Sequence, residues 1–159
     1  MKRALILLLA VAAPLSAARA PLGTFGRWGA FRDDGPTRCF AIAEPVQTVR
    51  GGTERGFVTV TRWPAANVRG ELYVRLSRPK HPRAAVTLSV GERRFRLTAG
   101  PSDAWAVDPA ADRAIVAAMR SGRSLSVESI AASGRPFVDA YALTGAATAI
   151  DTAALACSR

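Results

Sequence analysis

The stretch from Ala85 to Thr98, AVTLSVGERRFRLT, carries the clearest structural signal in this chain. Gly91 and Glu92 suit the two-residue type II′ turn of an antiparallel hairpin, which places Val90 opposite Arg93. In that register one face carries only apolar side chains, namely Val86, Leu88, Val90, Phe95 and Leu97. The opposite face carries Thr87, Ser89, Arg94 and Arg96. The segment therefore predicts a hairpin with one core face and one solvated face.

The same period-two alternation recurs on both sides of the hairpin and predicts a mainly β chain. The predicted strands are Arg27 to Arg32, Arg38 to Ala43, Phe57 to Trp63, Glu71 to Ser77, Ala85 to Val90, Arg93 to Thr98, Trp105 to Val107, Ser124 to Ile130 and Pro136 to Leu143. Asp108 and Pro109 start a helix that Gly122 ends, and Ala146 to Cys157 predicts a second helix. The pattern indicates an antiparallel β-sandwich of about nine strands with two short helices.

The first twenty residues have the features of a secretory signal peptide. Two basic residues precede an apolar run of about a dozen residues, which is shorter than the roughly 20 that span a bilayer. Small residues then lead to two cleavage positions, after Ala18 or after Ala20, although Pro21 would obstruct the second. Residues 21–159 are long enough for one domain with its own core. We expect a periplasmic or secreted protein with no transmembrane span after cleavage.

The composition is basic, with a formal net charge of +10 that falls to +7 when three leader cations are removed. Positive charge favours acidic partners such as lipopolysaccharide or another acidic glycolipid. Six residues form a candidate anion-binding patch: Arg78, Lys80, His81, Arg83, Arg94 and Arg96. A solvated basic surface without a dedicated ligand is the alternative interpretation. Phe95 lies between Arg94 and Arg96 in sequence but on the apolar face of the predicted hairpin, so no aromatic stacking platform accompanies these cations and sequence-specific nucleic-acid recognition is not expected.

Two cysteines, Cys39 and Cys157, lie near the two ends of the predicted domain. An even number of cysteines in an oxidising compartment favours a disulfide. A metal site or a reactive thiol would need additional ligands or activating neighbours, and none is suitably spaced. We predict a disulfide between these two residues.

No pattern of residues predicts a catalytic centre, a metal site or a cofactor. The one histidine, His81, lies in a basic loop without an orienting carboxylate nearby in sequence. Asp33 and Asp34 are followed by Gly-Pro and belong to a turn. A hydrolase would require a deep pocket that encloses at least two carboxylates together with His81. The three tryptophans, Trp28, Trp63 and Trp105, are expected to seal the core, with a glycan platform as the alternative.

Several segments resemble the invasion-associated locus B family of exported alphaproteobacterial proteins. They are Phe25-Gly26-Arg27-Trp28 with Arg38 to Ile42, then Asp112 to Val127 (DRAIVAAMRSGRSLSV), and Gly134 to Ile150 with its Leu143-Thr144-Gly145 step. The chain departs from that family at Ala30-Phe31-Arg32 and at Ala99 to Asp108, where members commonly carry further cysteines.

The resemblance implies an immunoglobulin-like sandwich in the bacterial envelope without an established catalytic site. We therefore expect a non-enzymatic exported protein, most simply a module that binds an envelope or host protein. A basic-surface binder of acidic glycolipid or another polyanion is the first alternative, and an uncharacterised hydrolase is the second.

Overall fold

The structure is a computed structural model that describes residues 18–46 and 55–158. Its ten strands are β1 (Arg19–Phe25), β2 (Trp28–Asp34), β3 (Thr37–Ala43), β4 (Phe57–Trp63), β5 (Val68–Arg75), β6 (Val86–Val90), β7 (Arg93–Ala99), β8 (Asp103–Trp105), β9 (Ser124–Ile130) and β10 (Pro136–Ala142). Its helices are α1 (Pro109–Ser121) and α2 (Ala146–Ala156), and a short 3₁₀ turn covers Pro64–Ala66.

All strand pairs are antiparallel, in the order β1-β2-β3-β4-β5-β8-β7-β6-β9-β10. The short strand β8 joins the two halves, because it pairs with β5 on one side and with the end of β7 on the other. Helix α2 packs against β1, β2 and β3, and α1 packs against β5. Buried residues from both halves and both helices form one core, which confirms the predicted mainly β, sandwich-like class with two helices.

The hairpin of β6 and β7 has the predicted register. Val86 pairs with Leu97, and Leu88 pairs with Phe95. Val86 and Leu88 are fully buried, whereas Arg94 and Arg96 on the opposite face are exposed. One face of this hairpin therefore contributes to the core, as its alternation predicts.

Strand β1 was not predicted, so the sheet has ten strands rather than about nine. Its residues include Pro21 and Gly23, and the pairing register with β2 shifts between them, which interrupts simple alternation. Strand β8 begins and ends two residues earlier than predicted, so that Ala106 and Val107 lie outside it. Asp103 pairs with Arg75 of β5, and its carboxylate accepts hydrogen bonds from Arg75 at 2.8 Å and from the hydroxyl of Tyr73.

Helix α1 begins and ends as predicted. The side chain of Asp108 accepts a hydrogen bond from the N–H of Ala111 at 2.7 Å, and Pro109 occupies the first turn. Gly122 follows the helix with an ordinary negative φ, so its backbone conformation does not require glycine. Packing does, because a Cβ at this position would lie 2.4 Å from Cγ1 of Val90. The C-terminal end of α1 thus lies against the β6–β7 hairpin.

Among residues 18–46 and 55–158, neither helix is long and apolar enough to cross a membrane. Of the predicted signal peptide, residues 1–20, the first 17 residues lie outside the described part of the chain. Arg19 and Ala20 are described and belong to β1.

Candidate functional site

Cys39 and Cys157 form the predicted disulfide, with a sulfur–sulfur distance of 2.06 Å and a Cα–Cα distance of 5.8 Å. Cys39 lies in β3, and Cys157 directly follows α2. Both are buried. The bond therefore fastens the C-terminal helix to the sheet and has a structural role.

The turn between β1 and β2 packs against the chain between β10 and α2. Trp28 is fully buried and donates its indole N–H to the carbonyl of Ala142 at 2.9 Å. A Cβ at Gly26 would lie 2.5 Å from the carbonyl oxygen of Thr144, and a Cβ at Gly145 would lie 2.0 Å from that of Phe25. Two segments that are far apart in sequence thus meet in the fold.

The structure corrects the candidate anion-binding patch at Lys80. This lysine is only 7% exposed, and its ammonium donates to the carbonyls of His81 and Pro82 at 3.0 and 3.2 Å. The backbone N–H of Lys80 also donates to the carbonyl of Pro101. Lys80 therefore braces its own loop and does not belong to a surface patch.

The other predicted patch residues are divided between two places. Arg94 and Arg96 are exposed on the outer face of β7, whereas His81 and Arg83 lie in the loop that leads to β6. Arg78 is half-buried, with its guanidinium 5.7 Å from the ring centre of Phe137. His81 accepts a hydrogen bond on Nδ1 from the N–H of Arg83 at 3.3 Å.

A carboxylate shares the outer face with the two β7 arginines. Arg96 pairs with Thr87 across β6 and β7, and Thr87 pairs with Glu128 of β9. One row of the sheet therefore carries both charge signs, which weakens the case for a dedicated polyanion surface.

Asp139 is a buried carboxylate on the inner face of β10, with 1% exposure. Its Oδ2 accepts a hydrogen bond from the N–H of Ser77 at 2.9 Å, but its Oδ1 has no hydrogen-bond partner among the described residues. The hydroxyl of Tyr141 is also buried without a partner there. Burial raises the pKa of Asp139, although the hydrogen bonds from Ser77 and the charge of Arg78 oppose that shift.

The raised pKa of Asp139 gives a testable pH dependence of stability. The folded protein retains this proton to higher pH than the unfolded chain, so stability falls as pH rises from about 4 through the folded pKa. We expect Asp139→Asn to match wild type near pH 4 and to be more stable by about 1 kcal/mol or more at pH 8. Urea unfolding across pH measures the difference. Glu92→Gln in the exposed hairpin turn is the control, and a stability gap between the Asp139→Asn variant and wild type that does not change with pH would contradict the assignment.

A large cleft of about 720 Å³ lies where the first half of β5 faces the start of α1. Its walls come from the turn before β5, from β5 itself, from the end of β8 and from the first turns of α1. The lining residues include Arg69, Glu71, Trp105, Asp108, Asp112 and Arg113. It combines an aromatic side chain, charges of both signs and strand backbone.

Three carboxylates enter this cleft, and each has one structural hydrogen bond. Asp108 caps α1 through the N–H of Ala111, Asp112 accepts from the N–H of Leu72 at 2.8 Å, and Glu71 accepts from the indole N–H of Trp63 at 3.0 Å. These bonds fix the side chains on three different elements. Within residues 18–46 and 55–158, the second oxygen of each carboxylate accepts no hydrogen bond.

The carboxylates repel one another. Burial raises the pKa of Asp112, and the negative charges of Glu71 and Asp108 raise it further, while the hydrogen bond from Leu72 and the charge of Arg113 lower it. The net direction is upward. A cation placed among these carboxylates would relieve the repulsion.

The three tryptophans have different roles. Trp28 is in the core, and Trp63 is half-buried and tied to Glu71. Trp105 is 37% exposed at the cleft wall, with its ring 5.6 Å from that of Tyr73. The core-sealing prediction thus holds for Trp28, while Trp105 is partly exposed at the cleft wall.

Sequence reasoning missed the cleft because its parts are distant along the chain. Leu72 and Asp112 are 40 residues apart, and a leucine and an aspartate at that separation form no recognisable sequence motif. The one local hint is Asp108 and Asp112, four residues apart at the start of α1. His81 does not line the cleft. Among the described residues, no group of three or more His, Cys, Asp or Glu is arranged to hold a metal ion.

The chain matches no protein-family model, no curated protein and no solved structure. The class that its own structure defines is a disulfide-linked, mainly β domain with two helices and one large charged cleft.

Proposed function

We propose that this protein is a non-enzymatic, exported envelope protein that binds a protein partner and is related to the invasion-associated locus B family. The observation that carries the binding role is the cleft between β5 and α1, which exposes Trp105 and three carboxylates beside strand backbone. Those carboxylates hold backbone or indole N–H groups in place, which suits a binding surface more than an acid–base pair.

Export is supported by the leader sequence and by the disulfide, since disulfides persist in oxidising compartments. Cleavage after Ala18 fits the structure better than cleavage after Ala20. Arg19 lies in β1 and pairs with Asp33, with nitrogen–oxygen distances of 2.8 and 3.1 Å. Hydrogen bonding from Arg19 holds the pKa of Asp33 below its usual range. Cleavage after Ala20 would remove this partner.

Two of the segments that resemble this family, the β1–β2 turn and the step before α2, pack against each other. The Phe25-Gly26 turn and the Thr144-Gly145 step approach each other so closely that neither glycine has room for a Cβ. Such a contact requires glycine at both positions. A physical constraint thus couples two motifs that are far apart in sequence.

The test is co-purification from envelope extract at low and moderate salt, with mature protein isolated from the periplasm. We expect a protein partner in fixed stoichiometry at both salt concentrations, because a shaped interface loses less affinity to screening than a charged patch does. Capture of acidic glycolipid only at low salt would contradict this proposal. It would support the basic-surface alternative.

The double variant Arg94→Ser/Arg96→Ser is the matched control for that experiment. These arginines are the exposed part of the candidate patch on β7, and Lys80 is left intact because it braces its loop. Partner retention unchanged by the double variant supports the protein-binding role, whereas loss of all retention would assign binding to the basic face. The hydrolase alternative needs His81 in a carboxylate-lined pocket, and His81 lies outside this cleft.

A further inference from the structure

We propose that the first half of β5 binds an extended peptide as an added strand in the cleft, with a basic side chain of that peptide between Asp108 and Asp112. The inference deepens the proposed function and rests on it, because it names the surface and the kind of partner. It depends on three observations: an unpaired strand edge, an unrelieved group of carboxylates and an exposed indole.

Strand β5 has a neighbour on only part of one edge. Along its whole length it pairs with β4, but on the other side β8 pairs only with Tyr73, Val74 and Arg75. Over residues 68–72 that edge has no strand partner among residues 18–46 and 55–158, and it lines the cleft. Unpaired strand edges are templates for an incoming strand.

The N–H of Leu72 shows how this edge is oriented. It points away from β4 and donates to the carboxylate of Asp112, so this N–H is already satisfied and an incoming strand would pair with residues 68–71. The N–H of Leu76 points the same way and donates to the carbonyl of Ser102. These two bonds show that this edge of β5 faces the cleft, and the four residues 68–71 next to Leu72 extend about 13 Å.

The strand bends at this point. Gly70 has a φ of +118°, and the register with β4 shifts between Thr61 and Arg62. A Cβ at Gly70 would have only Cγ1 of Val60 within 4 Å, at 3.9 Å. The glycine serves the backbone bulge rather than close packing, and bulges re-aim strand edges next to binding sites.

The charges in the cleft favour a peptide that carries a basic side chain. Asp108, Asp112 and Glu71 share the cleft, and Arg113 is the cation that offsets them at Asp112. Arg69 lines the cleft as well, so its lining carries three carboxylates and two guanidinium groups, a formal charge of −1 in a chain that is otherwise strongly basic. An arginine or lysine of the partner would pair with the free carboxylate oxygens and lower the repulsion among them.

Trp105 supplies the third contact. It is 37% exposed at the same wall, and Tyr73 supports its ring from behind. An indole next to carboxylates can hold both the stem and the charge of a basic side chain, through apolar contact and cation–π attraction.

The test uses the disulfide-bonded mature protein and a fluorescent, terminally blocked peptide, Ser-Val-Thr-Arg-Thr-Val-Ser. We expect saturable binding by fluorescence polarisation and at least tenfold weaker binding when the peptide arginine is replaced by glutamine. Asp112→Asn should weaken binding about tenfold, since the amide still accepts from Leu72 but carries no charge. Asp108→Asn, which keeps a good helix cap, should act in the same direction.

Two peptides with alternate residues N-methylated, one for each alternation, test strand pairing directly. An added strand uses one edge for pairing, so one alternation should abolish binding and the other should be tolerated. Loss in both or in neither would overturn the proposal. So would equal binding of the arginine and glutamine peptides.

Control variants and competing occupants complete the design. Glu92 lies in the turn of the β6–β7 hairpin, at the end of α1 that is remote from the cleft. The Glu92→Gln variant should therefore leave peptide affinity unchanged. Binding of chitohexaose in place of the peptide would assign the cleft to a glycan and overturn the inference. A dimer of the free protein that Asp112→Asn dissociates would assign the edge to a second copy, with the same consequence.

Failure here can be separated from failure of the proposed function. If Asp112→Asn still retains the envelope partner at moderate salt, the protein-binding role stands but the cleft is not its interface. If no envelope partner exists and the peptide still binds with the expected N-methyl pattern, the cleft inference stands and the envelope role fails.

Discussion

Replacing both Cys39 and Cys157 with alanine is expected to lower the free energy of unfolding by about 3 to 5 kcal/mol. The disulfide closes a loop with a sequence separation of 118 residues, so it removes much of the conformational freedom of the unfolded chain. It also fastens α2 to β3, and both cysteines are buried. Urea unfolding of the oxidised wild type and the double variant measures the loss.

Reduced wild-type protein is the matched control for the disulfide prediction, because it keeps both sulfur-containing side chains and lacks only the bond. If the loss comes from the unfolded state, reduced wild type and the double alanine variant should unfold at similar urea concentrations, well below the oxidised protein. An oxidised and a reduced midpoint within experimental error of each other would contradict the prediction.

The parts of the fold that the sequence predicts are those determined by local pattern. The β6–β7 hairpin follows from a Gly-Glu turn between alternating segments, and α1 follows from Asp108, Pro109 and Gly122. Each signal lies within about fifteen residues of what it specifies. Local chemistry and the final fold agree in these elements.

The parts that it does not predict depend on contacts between distant residues. Strand β1 is stabilised by pairing with β2 and by the ion pair between Arg19 and Asp33, neither of which shows in its own irregular alternation. Lys80 reads as a surface cation in sequence, yet two carbonyls of its own loop hold it inside. The cleft exists because β8 is too short to cover β5, which no local pattern specifies.

Gly145→Ala is expected to lower the free energy of unfolding by about 2 to 5 kcal/mol. Gly145 precedes α2 with a φ of +89°, a conformation that costs an L-residue about 1 to 2 kcal/mol. The added Cβ would also lie 2.0 Å from the carbonyl oxygen of Phe25, so the backbone must move, at about 1 to 3 kcal/mol for such overpacking. Thermal and urea unfolding measure the sum.

Gly134→Ala separates the two causes. Gly134 has a similar φ of +80°, but a Cβ there would meet nothing within 4 Å. This control therefore carries the conformational cost alone, about 1 to 2 kcal/mol. The additional loss in free energy of unfolding for Gly145→Ala measures the contact between the β1–β2 turn and the start of α2. Equal losses for both variants would show that this close approach contributes nothing to stability, and would remove the physical link between those two segments.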